Sequence, residues 1–177
     1  MLQHAAPPES ARAAPGRVEL FDGVASVACG DVLLILWRTP ARVERIRRAV
    51  VWCDAVVADN PDTVTICQFL LSSASPPDRE ARAVAKPEAI RLADHVRRAV
   101  MVPLGDSLWQ DVVRGILRLA VLVAGHGSQL KVAASEREVI DFLLQVSSPR
   151  TPKRPQLEAA IDALRAALDC PRPATGP

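Results

Sequence analysis

Several residue types on which particular functions depend are scarce in this sequence. It has no tyrosine, and three tryptophans and three phenylalanines are its only aromatic residues, so a row of rings for stacking nucleic-acid bases cannot be built. The formal net charge is only +2, whereas non-specific nucleic-acid binding needs a concentrated positive field. We therefore expect no nucleic-acid partner.

Long apolar runs are also lacking. The longest, near residues 116–124, contains Arg118 and is shorter than the roughly 20 residues that span a bilayer. The first residues show no basic start followed by an apolar stretch, which a secretory signal requires. We expect a cytoplasmic protein with no membrane span, in which the cysteines are reduced thiols.

Motifs for metals and cofactors are missing as well. The four cysteines, Cys29, Cys53, Cys67 and Cys170, are far apart, whereas zinc sites favour pairs separated by roughly two to four residues. No phosphate-cradling glycine loop and no nucleophile elbow occurs. We expect neither a metal nor a cofactor, and we expect the first three cysteines, which lie within apolar runs, to be buried.

Histidine, which titrates near neutral pH, occurs three times. Only His126 has an unusual setting, because it lies between Gly125 and Gly127 and two residues before Ser128. The favoured interpretation is a helix C-terminus, in which glycine ends the helix and the imidazole contacts the last carbonyls. The alternative is a pocket at the strand ends, formed by His126 and Ser128, in an enzyme or a small-ligand sensor. We predict no catalytic residues and no enzyme, and the alternative stays open.

The chain is long enough for one domain with its own core, since 49% of its 177 residues are hydrophobic. Proline-rich and alanine-rich ends without apolar periodicity cannot repay the entropy of ordering. We divide the chain into a disordered tail at 1–16, a domain at 17–146, a linker at 147–155, a helix at 156–169 and a second disordered tail at 170–177.

The first half of the domain predicts strands around one helix. Asp22-Gly23 between two short apolar runs indicates a hairpin turn. The runs Val32–Trp37 and Val64–Leu71 are typical of buried strands. Between them, Thr39-Pro40 is typical of a helix start, with Thr39 as N-cap.

The second half continues with alternating helices and strands. We predict a helix from about Pro77 to Arg98, a short strand from Ala99 to Leu104, and a long apolar helix beginning near Leu108. An edge strand at Leu130 precedes a helix that Ser135 caps, with Glu138 completing a capping box. The fold class is therefore α/β, a single small mixed sheet of about five strands with helices packed against it, plus a C-terminal amphipathic helix.

Two predicted helices, the long one that begins near Leu108 and the C-terminal one, are too apolar for a fully solvated surface. An isolated helix of the C-terminal length is marginal in water, so it must dock on its own domain or on another chain. We expect the two helices to supply a protein interface. The candidate interface residues are Leu108, Trp109, Val112, Val113, Leu157, Ile161, Leu164 and Leu168.

The order of these elements resembles the STAS family, of the anti-anti-sigma factor type. The segments from Asp111 to Leu117 and from Val132 to Leu143 carry the resemblance, which extends over residues 17–146. It implies a regulatory protein that binds a protein partner, such as a kinase or an anti-sigma-type regulator.

The resemblance also implies a switch by phosphorylation of a serine that follows a central strand. The matching loop follows Leu71, and its candidate phosphorylation or anion-binding residues are Ser72, Ser73 and Ser75. The family has an aspartate before its serine and a glycine after it, and this chain has neither in that loop. Ordinary turn and cap roles are the alternative for these serines.

The sequence therefore predicts a non-catalytic regulatory or scaffolding module that binds a protein partner. Self-association as a homo-oligomer is a further expectation, because an apolar helical face can also bind a second copy of itself.

Overall fold

The computed structural model describes residues 16–61, 64–105, 130–145 and 150–169. In this part of the chain six strands form one mixed sheet in the order β1-β2-β3-β4-β5-β6, so spatial order follows chain order. The pairs β1–β2 and β2–β3 are antiparallel, and the strands from β3 to β6 run parallel. The elements are β1 Glu19–Phe21, β2 Val24–Cys29, β3 Val32–Trp37, α1 Val43–Asp59, β4 Val64–Leu71, α2 Arg79–Leu92, β5 Val96–Leu104, β6 Leu130–Val132, α3 Glu136–Gln145 and α4 Arg154–Ala167. The predicted α/β class with a single mixed sheet is confirmed, with six strands in place of about five.

The two tight turns of the antiparallel part depend on left-handed backbone conformations. Asp22 and Gly23 connect β1 to β2 with φ values of 45° and 79°, as the Asp-Gly pair predicted. Gly30 connects β2 to β3 with φ of 60°. Both turns are where glycine has the least conformational cost.

The structure corrects two predicted helix boundaries. Thr39 does not cap α1, because its hydroxyl donates to the carbonyl of Asp22 at 2.9 Å; the helix begins at Val43 with Arg42 as N-cap. The second helix ends at Leu92 instead of continuing to Arg98. The β-branched residues that follow it join β5, since pairing with β4 outweighs their helical spacing.

Each face of the sheet has its own hydrophobic core. Helices α1 and α2 cover one face, where Trp37 and Trp52 are 3% and 4% exposed. Helices α3 and α4 cover the other, around Phe69 and Leu34. Strand β3 is buried along its whole length because it contributes to both cores.

The C-terminal helix α4 docks on its own chain. Leu157, Ile161, Leu164 and Leu168 are each at most 4% exposed and lie in the core that α4 shares with the sheet. This corrects the prediction that they form a protein interface, because a side chain in the core of its own domain is not available to a partner. Burying this apolar stripe stabilises the helix, which would be marginal alone.

Polar contacts fix α4 at both ends. Arg165, itself buried, pairs with Glu136 at the start of α3, and its Nε donates to Oε1 at 2.8 Å. Arg154 at the other end pairs with Asp141. The two helices are therefore antiparallel, and α4 begins at Arg154, two residues before the predicted start.

Candidate functional site

The loop between β4 and α2 contains the serines predicted as a phosphorylation site. It lies at the carboxyl edge of the parallel strands, and Ser72, Ser73 and Ser75 are all exposed. The Ser73 hydroxyl donates to the backbone carbonyl of Arg38, which follows β3. The other two hydroxyls are therefore the more accessible to a modifying enzyme.

The N-terminus of α2 already has a negative group. Asp78 is the N-cap, and its carboxylate accepts a hydrogen bond from the N–H of Ala81 at 2.8 Å. Glu80 adds a second carboxylate in the first turn. A phosphate on Ser75 would therefore meet like charge here, although helix N-termini normally attract anions.

Beyond this loop, α1 and α2 present an apolar surface to solvent. On α1 the exposed residues recur at the spacing of one face, and the same is true of α2. Val51 is 53% exposed and Ile90 is 66% exposed, so both large aliphatic side chains face solvent. We call this surface the α1–α2 outer face and define it by Val51, Ala55, Ala58, Ala83, Pro87 and Ile90.

An ion-pair network connects the two helices of this face. Arg91 of α2 donates to the carboxylate of Asp54 in α1 at 2.8 Å and to that of Glu88 at 2.7 Å. These contacts raise the pKa of Arg91 above its ordinary value, first through the hydrogen bond to Glu88. Val51 and Ile90 are therefore exposed on two helices that an ion pair connects and that pack on the same face of the sheet.

The sequence analysis did not identify the α1–α2 outer face. A helix that continues to Arg98, as predicted, would place Ile90 and Val96 together on its apolar side, whereas Val96 belongs to β5. With α2 ending at Leu92, its buried residues are Ala81 and Leu92, and Ile90 lies on the opposite side of the helix. A prediction that α2 ends at Leu92 would have placed Ile90 on the exposed side of the helix.

The part of the chain that the structure describes offers little for covalent chemistry. Burial raises the pKa of the Cys53 thiol to about 12 and also raises that of Cys67 and Cys29, so these thiols are poor nucleophiles. All three are buried, as predicted. Within the same residues no group of side chains could hold a metal ion.

Other predicted site residues lie outside the described residues. These are Leu108, Trp109, Val112 and Val113 of the interface prediction and His126 and Ser128 of the pocket prediction. They remain predictions.

No helix in the described ranges has the length and hydropathy that a membrane crossing demands.

Comparison with protein-family models and with curated proteins finds no match. Among solved structures, the chain is similar to one described as the anti-sigma factor antagonist SpoIIAA in its unphosphorylated form. The sequence identity is 12% and the TM-score is 0.40, and the match covers 72% of this chain and 96% of that chain. The matched protein is of the anti-anti-sigma type that the sequence resemblance named. Similarity at this level assigns no function.

Proposed function

We propose that this domain is a non-catalytic regulatory module that binds a protein partner through the α1–α2 outer face. The observation that carries the proposal is the exposure of Ile90 and Val51, at 66% and 53%, on two adjacent helices. Single exposed aliphatic residues are ordinary on protein surfaces, whereas exposed apolar residues grouped on two neighbouring helices are typical of an interaction site.

The distribution of charge around this face supports the same function. Its centre has only alanine, proline and aliphatic residues, whereas Arg47, Lys86 and the Asp54–Arg91 pair lie at its border. Protein interfaces commonly have an apolar centre from which charged residues are depleted, with a polar rim. The ion pair also keeps α1 and α2 in a fixed arrangement, which lowers the entropic cost of binding.

Catalysis is the less favoured function for this domain. Within the described part of the chain, a cavity between the sheet and α3 has a volume of about 10 Å³, which accommodates a water molecule but no substrate. The buried thiols have raised pKa values and are poorly placed to attack one. These observations support binding over bond-making.

We place the regulation of binding in the β4–α2 loop. Ser72 and Ser75 are exposed and precede the helix that carries half of the apolar face. A phosphate there would repel the capping carboxylate of Asp78 and loosen the first turn of α2. The partner class that the sequence resemblance implies is a kinase or an anti-sigma-type regulator.

Self-association through the same face is the second candidate, because homo-oligomerisation is also expected from the sequence. Light scattering coupled to size-exclusion chromatography distinguishes the cases. A mass of twice the 19.1 kDa chain that reverts to the monomer in Ile90→Glu would identify self-association through this face.

The test of the proposal compares binding by matched variants. Immobilised wild-type domain, Ile90→Glu and Ala159→Glu are incubated with extract of the native cytoplasm, and bound proteins are quantified by mass spectrometry. Ala159 is exposed on α4, on the other face of the sheet. We expect a partner whose retention falls by at least about tenfold with Ile90→Glu, because a buried charge at an interface centre is costly, and stays unchanged with Ala159→Glu.

Equal retention by all three proteins would contradict the proposal, as would a partner lost only with Ala159→Glu. Circular dichroism of each variant checks that the substitutions leave the fold intact. Both substituted side chains are solvent-exposed, so we expect no loss of stability beyond about 0.5 kcal/mol.

A further inference from the structure

A second feature lies at the amino edge of the parallel strands, where β3, β4 and β5 begin, opposite the edge that carries the β4–α2 loop. A small cavity there is lined by residues of the sheet, of α3 and of the segment before α4. Its polar lining residues include Arg97 and Arg98 of β5, Thr65 of β4 and the buried Asp31. This site is separate from the α1–α2 outer face.

A bulge explains why two consecutive arginines line one cavity. Consecutive side chains of a regular strand point to opposite faces. Here Val64 pairs with Val96 while Thr65 pairs with Arg98, so Arg97 is an extra residue with no partner in β4. Bulges redirect side chains and are frequent next to functional sites.

The two arginines share this cavity with a single carboxylate, that of Asp31. Among residues 16–61, 64–105, 130–145 and 150–169, no hydrogen bond or ion pair reaches either guanidinium. The Arg98 guanidinium stacks on the ring of Phe142 at 5.4 Å from its centroid, and Lys131 approaches the same ring at 4.4 Å. Burial, and to a smaller extent the neighbouring Arg97, lower the pKa of Arg98 below its ordinary value.

We propose that Arg97 and Arg98 bind a phosphate group at this cavity. The volume of about 10 Å³ admits one oxygen atom of the anion, and the exposed Arg97 can contact the oxygens that remain outside. The planar guanidinium forks match phosphate oxygens. The Thr65 hydroxyl, which also lines the cavity, is a further donor of the kind that phosphate accepts.

Asp31 indicates which oxyanion the site prefers. Its carboxylate accepts a hydrogen bond from the Thr151 hydroxyl at 3.2 Å, and this residue, only 6% exposed, lines the cavity. A carboxylate repels a fully ionised anion but accepts a hydrogen bond from a protonated oxygen. Phosphate has such an oxygen near neutral pH and sulfate has none, so the site is expected to select phosphate.

The experiment titrates ¹⁵N-labelled full-length protein with inorganic phosphate, sulfate or chloride at constant ionic strength. We expect saturable shifts of the amide resonances of Thr65, Arg98 and Phe142 with phosphate. Sulfate should bind at least about tenfold more weakly, because a hydrogen bond is replaced by charge repulsion.

Variants separate a built site from general attraction of anions. Arg97→Gln should weaken phosphate binding by at least about tenfold, since a charge-assisted contact is lost, and it should not affect folding because Arg97 is exposed. Arg98→Lys keeps the charge but loses the fork, and should weaken binding as well. Arg47→Gln removes an equal charge from an exposed position on α1 and should leave the affinity for phosphate unchanged.

Three results would overturn the proposal. Shifts that do not saturate, equal binding of phosphate and sulfate, or equal effects of Arg97→Gln and Arg47→Gln would show an adventitious ion only, with a water molecule as the ordinary occupant of the cavity.

Discussion

Gly30 occupies a turn in which both backbone conformation and space exclude a side chain. Its φ is +60°, and a Cβ at this position would clash with the carbonyl oxygen of Arg150. We predict that Gly30→Ala lowers the free energy of unfolding by about 1 to 3 kcal/mol, because a left-handed alanine is strained and the segment before α4 must move. Urea denaturation measures this change. A decrease in unfolding free energy too small to shift the denaturation midpoint would contradict the close approach of Gly30 to Arg150.

The buried thiols predict a decline of stability at alkaline pH. The ordinary pKa of a cysteine thiol is 9.0, and burial raises that of Cys53 to about 12. The unfolded chain therefore loses this proton at a lower pH than the folded chain, so stability is full below pH 9 and falls as the pH rises through about 12. Between these limits each such thiol contributes a slope of up to about 1.4 kcal/mol per pH unit.

The matched test compares wild type with Cys53→Ala between about pH 8 and 10.5, by urea denaturation at each pH. The variant is expected to be less stable at neutral pH, because a buried side chain is shortened, but to decline less steeply above pH 9. Parallel pH profiles of the two proteins would show that the thiol does not ionise differently on folding.

For helix α4, packing decides between docking on its own domain and docking on another chain, which the sequence leaves open. Its apolar stripe was predicted, but a stripe alone does not reveal whether it docks in cis or in trans. The outcome depends on the second face of the sheet, where Ala25, Val27 and Leu34 need a cover. Arg165 and Glu136 then fix the helix in place.

Substitutions in α4 test this docking. We predict that Leu164→Ala, at a site only 1% exposed, lowers the free energy of unfolding by about 2 to 5 kcal/mol through lost burial and a new cavity. Ala166→Ser on the exposed side of the same helix should cost less than about 0.5 kcal/mol. Similar small costs for both, measured by urea denaturation, would mean that α4 does not belong to the core.

Pro87 is an element-level anomaly in α2, because a proline inside a helix removes a backbone hydrogen bond. We predict that Pro87→Ala raises the free energy of unfolding by about 1 to 3 kcal/mol and weakens partner binding, because Pro87 belongs to the α1–α2 outer face. Thermal denaturation and binding assays measure the two effects. A variant that gains stability and keeps full affinity would exclude Pro87 from the interface.

At the scale of the whole molecule, chain order and local patterns were enough to predict a single mixed sheet with helices. Short strands such as Val32–Trp37 were predicted within a residue because apolar runs and turn residues bound them on both sides. The start of α1 and the end of α2 were wrong, since tertiary contacts of Thr39 and Val96 overrode local signals.

The candidate sites were less predictable than the fold. The serine loop was located, because position after a strand is a sequence property. The α1–α2 outer face and the Arg97–Arg98 cavity were not, because the first depends on which residues α2 leaves uncovered. The second depends on a bulge between β4 and β5, for which neither strand has a clear sequence signal.

Site-specific photo-crosslinking in the native cell shows whether a protein partner contacts the α1–α2 outer face. A photoreactive amino acid replaces Ile90 or Val51 on the α1–α2 outer face, or Ala159 on α4 as the control. We expect a crosslinked partner protein with the photoreactive residue at position 90 or 51 and none with it at position 159. Crosslinks from position 159 alone, or none from positions 90 and 51, would contradict it.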